Sequence, residues 1–140
     1  MSNATLLGFD YGRRRVGVAV GETITGSARA LTTLACPAEG RPDWEGIGRL
    51  MTEWQPAAVV VGRPEQADGS ANGVTQGAER FARQLHGRFG VPAHLVDERL
   101  SSREAAERLG GQRRGRRSDP GLDGMAACVI LETWLADHQP

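Results

Sequence analysis

Leu6-Leu7-Gly8-Phe9-Asp10-Tyr11-Gly12 is an apolar run ended by a turn. After Arg13-Arg14-Arg15 the chain continues Val16-Gly17-Val18-Ala19-Val20. The first run reads as a buried strand. In the second, strict alternation puts three valines on one face and leaves Gly17 and Ala19 on the other, where a helix or strand can approach closely. Residues 26–34 then make the third strand of a meander.

Downstream the period changes. Asp43 caps a helix whose Ile47, Leu50, Met51 and Trp54 recur at i, i+3, i+4, i+7, and Gln55-Pro56 stops it. Ala57 to Val61 is a continuous apolar strand of the kind buried on both sides of a parallel sheet. After a loop over Gly62–Gly73, a second helix aligns Val74, Ala78, Phe81, Ala82 and Leu85 and closes near Gly87–Gly90; Val91 to Val96 is the next strand. Ser101-Ser102-Arg103-Glu104 matches a capping box for a short helix ending at Gly110-Gly111. A basic, aperiodic loop reaches Asp119-Pro120, which starts a last helix carrying Leu122, Met125, Ala126, Val129, Ile130 and Trp134. Three meander strands followed by βα units predict one α/β domain over 1–140. Its mixed five-stranded sheet has order 3-2-1-4-5, with helices on both faces.

Composition removes whole classes of function. At 140 residues and 39% hydrophobic the chain is long enough for a core without staples, and no run approaches the roughly 20 apolar residues of a membrane span. The first residues show no basic segment followed by a long apolar one. Cys36 and Cys128 are far apart, without metal-ligand spacing. A cytoplasmic protein with no membrane partner is expected. Formal net charge is zero, yet all 17 basic residues are arginine and seven fall in two patches, Arg13-Arg14-Arg15 and Arg113-Arg114-Gly115-Arg116-Arg117. Arginine is the better bidentate partner for phosphate.

In such a sheet the ligand crevice lies beyond the carboxyl ends of the strands where the order switches direction, here between strand 1 and the strand ending at Val61. Asp10 leaves one of these ends and Gly62-Arg63-Pro64 the other. The next strand ends in Asp97-Glu98-Arg99, and Asp123 sits in the first turn of the last helix, in line with Ala126, Ala127 and Ile130. Carboxylates gathered in one crevice repel one another. A hard divalent cation, Mg²⁺ or Mn²⁺, with oxygen ligands is the cheapest compensation. Such a site suits in-line hydrolysis of a phosphodiester. An ATPase of the sugar-kinase and actin type also opens apolar-Asp-x-Gly, but it closes two lobes over nucleotide and 140 residues supply one.

Taken in order, Leu7-Gly8-Phe9-Asp10-Tyr11-Gly12 with Arg15–Val20, Val60-Val61-Gly62-Arg63-Pro64 with Asp68-Gly69, Asp97-Glu98-Arg99-Leu100-Ser101-Ser102 with Glu104-Ala105, and Leu122-Asp123-Gly124-Met125-Ala126-Ala127 resemble the YqgF/RuvX family over about Leu6 to Leu135. The resemblance implies a ribonuclease H-like fold related to Holliday junction resolvases. It also implies a nuclease maturing the 5′ end of pre-16S ribosomal RNA. Asp10, Glu98 and Asp123 would take the three acidic places, as catalytic residues and metal ligands. Successive strand side chains point oppositely, so only one of Asp97 and Glu98 should enter, and Glu98 is taken. Arg63 stands where the family usually has an apolar residue, Glu65-Gln66-Ala67 replaces an Asn-containing segment, and Arg14 replaces a lysine. Asp119-Pro120-Gly121 stands where the family often has lysines.

The expected activity is therefore metal-dependent endonucleolytic cleavage of structured RNA, as pre-16S rRNA or the immature small ribosomal subunit. Arg13, Arg14, Arg63, Arg99, Arg113, Arg114, Arg116 and Arg117 would contact phosphate. The alternatives are resolution of branched DNA, and a ribosome-associated RNA-binding factor with little turnover. Monomer and dimer stay open.

Overall fold

The computed structural model describes residues 4–63, 73–97 and 120–137. The strands are β1 (Thr5–Asp10), β2 (Arg15–Glu22), β3 (Ala28–Ala35), β4 (Ala58–Arg63) and β5 (Ala93–Asp97). The helices are α1 (Trp44–Trp54), α2 (Gly73–Phe89) and, as the third among the described residues, α3 (Pro120–Asp137). The five strands form one sheet of order β3-β2-β1-β4-β5. β1 pairs antiparallel with β2 and parallel with β4. The expected mixed sheet is observed. The capping-box helix expected from Ser101 lies outside the described residues.

Alternation along β1 divides the core in two. Leu7 and Phe9 join Val16, Val18, Ile47, Met51, Phe81 and Leu85 under α1 and α2. Leu6 joins Val60, Ile130, Leu131 and Leu135 under α3. Helices cover both faces, so β1 and β4 are apolar on both sides. The α1 cap forms as its sequence implies: Asp43 Oδ1 accepts from the Gly46 amide at 3.0 Å, and Gln55 ends the helix in a left-handed conformation at φ 45°.

Some boundaries shift for local reasons. β3 begins at Ala28, not at residue 26, because Gly26 turns the chain at φ 69°. A bulge sets in where Val18 faces Thr32 but Ala19 faces Ala30, with Leu31 as the extra residue. β5 starts at Ala93, after Pro92 has offered its carbonyl to the Val59 amide at 2.9 Å.

The seating of α3 matters most for the site. A Cβ on Gly8 would lie 2.9 Å from Leu131 Cβ and 3.1 Å from the Ala127 carbonyl oxygen, and one on Gly21 2.9 Å from Leu131 Cδ2. Glycines thus let the helix lie directly on β1 and β2. Glu132 fastens it to β3 by accepting from the Ala28 amide at 3.0 Å. Every residue from Ala126 to Leu131 is buried, the pattern of a helix covered all round. Ala126 and Val129 pack with each other and with Met125, beside the clusters that hold Ala127 and Ile130.

Gly8→Ala is accordingly expected to destabilise by about 1–2 kcal/mol. Overpacking against a backbone oxygen and a Cβ outweighs the entropy gained on replacing glycine. Urea denaturation reads this directly, and an unchanged or higher midpoint would show that the helix is not held so close.

Candidate active site

Asp10 is the last residue of β1, half-buried, and engaged in contacts of its own. Its cross-strand neighbours are Gly17 on β2 and Gly62 on β4. Directly opposed residues share a face, so both cross-strand neighbours of Asp10 are residues without a side chain. Gly62 is in turn level with Val96 on β5, and Asp97 follows, level with Arg63.

The face is that of α3, because Leu6 and Gly8, the residues four and two before Asp10, both lie against that helix. Since Ala127 and Leu131 sit over Gly8 while Leu135 packs with Leu6, α3 runs antiparallel to β1. Its first turn therefore lies at the strand end that carries Asp10. Position 123 belongs to that turn, four residues before Ala127 and eight before Leu131. Asp10 and position 123, 113 residues apart in the chain, come to one end of one face.

The β1–β2 turn closes over the same end. A Cβ on Gly12 would stand 2.7 Å from the Arg15 carbonyl oxygen, so the turn needs glycine there. The Arg13 carbonyl accepts from the Gly40 amide and the Arg14 carbonyl from the Cys36 amide, each at 2.8 Å. The backbone is pinned while the Arg13 and Arg14 side chains are exposed. Burial, and after it the nearby Asp43 carboxylate, raises the Cys36 thiol, which stays protonated at neutral pH and is no nucleophile.

Of the residues singled out in the sequence, Asp10, Arg13 and Arg14 meet at this end, joined by position 123 of α3 and position 63 of β4. Glu98, Arg99, Arg113, Arg114, Arg116 and Arg117 lie outside the described residues. Among the described residues no three metal-ligating side chains gather; Asp10, with its two glycine neighbours, is the described part of the expected trio. A divalent ion fits the chemistry of this donor, since a carboxylate oxygen is the hard ligand that such ions take.

Other basic residues at this end were not singled out from sequence. Tyr11 turns to the opposite face and lies flat on α2, where a Cβ on Gly77 would be 2.9 Å from its hydroxyl oxygen. Beside it are two cavities. The first, of about 180 Å³, is lined by Tyr11, Arg41, Trp44, Gly77, Arg80 and Gln84 among others. The second, of about 360 Å³, is lined by Gln76, Gly77, Glu79, Arg80 and Arg83. Arg80 and Arg83 stand at i, i+3 on the polar face of α2, a spacing that in sequence looks like any solvated helix face.

A family model described as RuvX, Holliday junction resolvase, matches residues 4–137. A protein of Azotobacter vinelandii, proposed by its name to be a pre-16S rRNA nuclease, is 53% identical over 135 residues, 95% of this chain and 94% of its own length. One of Pectobacterium atrosepticum with the same name is 49% identical over 140 residues, 99% of this chain and all of its own. Among solved structures, Thermus thermophilus RuvC in complex with a Holliday junction substrate superposes with TM-score 0.55 at 20% identity, covering 95% of this chain and 94% of that one. A yeast mitochondrial Holliday junction resolvase gives 0.56 at 12% identity, covering 93% and 77%. The sheet order and these neighbours make the fold the ribonuclease H-like fold of the resolvases. No helix among the described residues is long and apolar enough to cross a membrane.

Proposed function

The chain belongs to the RuvX family, and from that premise we propose that it is a metal-dependent nuclease cleaving structured RNA at the 5′ end of pre-16S ribosomal RNA. The observation that carries the site is Asp10 at the carboxyl end of β1, flanked by Gly17 and Gly62, with the start of α3 over the same face. Asp10, Glu98 and Asp123 would hold the ion, Mg²⁺ before Mn²⁺. Glu98 is favoured over Asp97 by register. Val96 is level with Asp10 through Gly62 and packs on the α3 side, and strand alternation carried one residue past β5 would bring Glu98 to that face.

Bound there, a divalent ion supplies charge neutralisation for in-line displacement at phosphorus and lowers the pKa of attacking water. The chain's own residues do the positioning. Arg13 and Arg14, exposed on a turn fixed by two backbone hydrogen bonds next to the end of β1, would give the phosphate its donors. Contacts of this kind set register and carry no sequence information. Selectivity comes from RNA shape and from the immature subunit as partner.

The family's description as a Holliday junction resolvase favours branched DNA as the second substrate. Side-by-side assays with a 5′-extended precursor of small-subunit RNA and a four-way DNA junction separate the two. Cleavage of the RNA leader in Mg²⁺, abolished by EDTA, is expected. Paired nicks in the junction with the RNA intact would move the enzyme to DNA. Neither product in Mg²⁺ or Mn²⁺ would leave a binding factor.

A further inference from the structure

The two cavities beside Tyr11 share Gly77 and Arg80 and are one continuous feature in their chemistry. Arg41 contributes from the loop after β3, Arg80 and Arg83 from α2, and all three are exposed. Among the described lining residues Glu79 is the one acid, and it has a partner of its own. Arg83 stands four residues after Glu79, the spacing of a helix-stabilising pair, whereas Arg80 and Arg83 are like charges at i, i+3, so Arg80 adds charge to this wall at a cost to α2. Guanidinium groups crowded on concave walls raise the local positive potential and attract a polyanion.

Position gives the feature its meaning. Asp10 and Tyr11 are consecutive and take opposite faces of the sheet. Between those faces stands the β1–β2 turn with exposed Arg13 and Arg14. The Gly40 amide is bonded to the Arg13 carbonyl, and Arg41 is the next residue. A basic path thus runs from the carboxylate over the top of the sheet to the α2 cavities. Gln76 and Gln84 add neutral donors and acceptors along it.

We infer that Arg41, Arg80 and Arg83 form a second phosphate site for the same nucleic-acid strand, gripping it on the far side of the β1–β2 turn from the scissile phosphate. The inference rests on the nuclease assignment for its substrate but makes a separate claim, that α2 carries affinity. The site takes backbone phosphate irrespective of sequence.

The test is binding without turnover. Asp10→Asn protein is titrated by anisotropy with a fluorescein-labelled RNA hairpin bearing a single-stranded 5′ tail, across a salt series. Adding Arg80→Gln and Arg83→Gln is expected to weaken binding at least about tenfold near 0.1 M salt. The double substitution should also reduce the log–log salt slope by about 1.5, the loss of two phosphate contacts. A control pair, Arg29→Gln and Arg49→Gln, changes net charge equally at exposed arginines of β3 and α1 that line neither cavity. It should leave the slope near its starting value. Equal effects of the two pairs, or none from Arg80 and Arg83, would overturn the site. Retained dependence on Arg80 and Arg83 in a protein whose Asp10 form cleaves nothing would keep the site and remove the nuclease assignment.

Discussion

Asp10→Asn is expected to lower metal-dependent cleavage by about three orders of magnitude while the protein stays folded. The amide has nearly the shape of the carboxylate, so β1 keeps its register with Gly17 and Gly62 and no core contact is lost. What goes is a hard anionic oxygen on a residue whose two cross-strand neighbours are glycines. An ion held there would be worth several kcal/mol of transition-state stabilisation, and about 1.4 kcal/mol is tenfold in rate. Two readouts keep catalysis apart from folding. Because clustered carboxylates repel when no cation is present, the metal-free melting temperature should hold or rise. The stabilisation that wild type gains from added Mg²⁺, which follows ligand concentration over its dissociation constant, should disappear. An unchanged cleavage rate would remove Asp10 from the chemistry, whatever the family likeness.

The sheet was legible in sequence because period and punctuation agreed. Alternation in Val16–Val20, continuous apolarity in Ala57–Val61 and the Gln55-Pro56 stop each admitted one interpretation, and right-handed crossovers then left one strand order. The bulge at Leu31 was not legible, since nothing in Ala28–Ala35 distinguishes a residue opposite a partner from one squeezed between two. Asp10 could be singled out from its place at a strand end. Its glycine neighbours could not be, because Gly17 and Gly62 come level with it only through the register of β1 with β2 and β4. Gly8 carried no signal either, until Leu131 was found above it. Arginine clustering pointed to Arg13 and Arg14 but passed over Arg41, Arg80 and Arg83, which come from two segments and meet only through Tyr11 and Gly77. Sequence proximity finds charges on one turn, and folding brings the others to it.

Phe81→Ala should have the largest effect on stability, about 3–5 kcal/mol. The ring is almost fully buried, 1% exposed, and is the hub of the aromatic contacts on the α1–α2 face. It meets Phe9 edge-on at 5.5 Å and 77°, Tyr11 at 5.3 Å, and Trp44 stacked at 5.5 Å. Pairs of this kind contribute about 0.5–1.5 kcal/mol each beyond the area they bury. Phe9 and Trp44 are held by rigid elements, so the void cannot close fully, and the cost sits high in the usual range for such truncations. For a chain of this length that is a fall in melting temperature of roughly 10–20 °C. The loss should also be selective. Asp10 stands on the other face, on α3's side, so cleavage measured well below the new transition should persist. Tyr11 leans on Phe81, so its removal loosens the cavity wall shared with Arg80, and RNA affinity should fall with stability. A destabilisation under about 1 kcal/mol would mean that the α1–α2 core does not depend on this ring. Undiminished affinity beside the full loss of stability would mean that the arginine cavities do not depend on Tyr11.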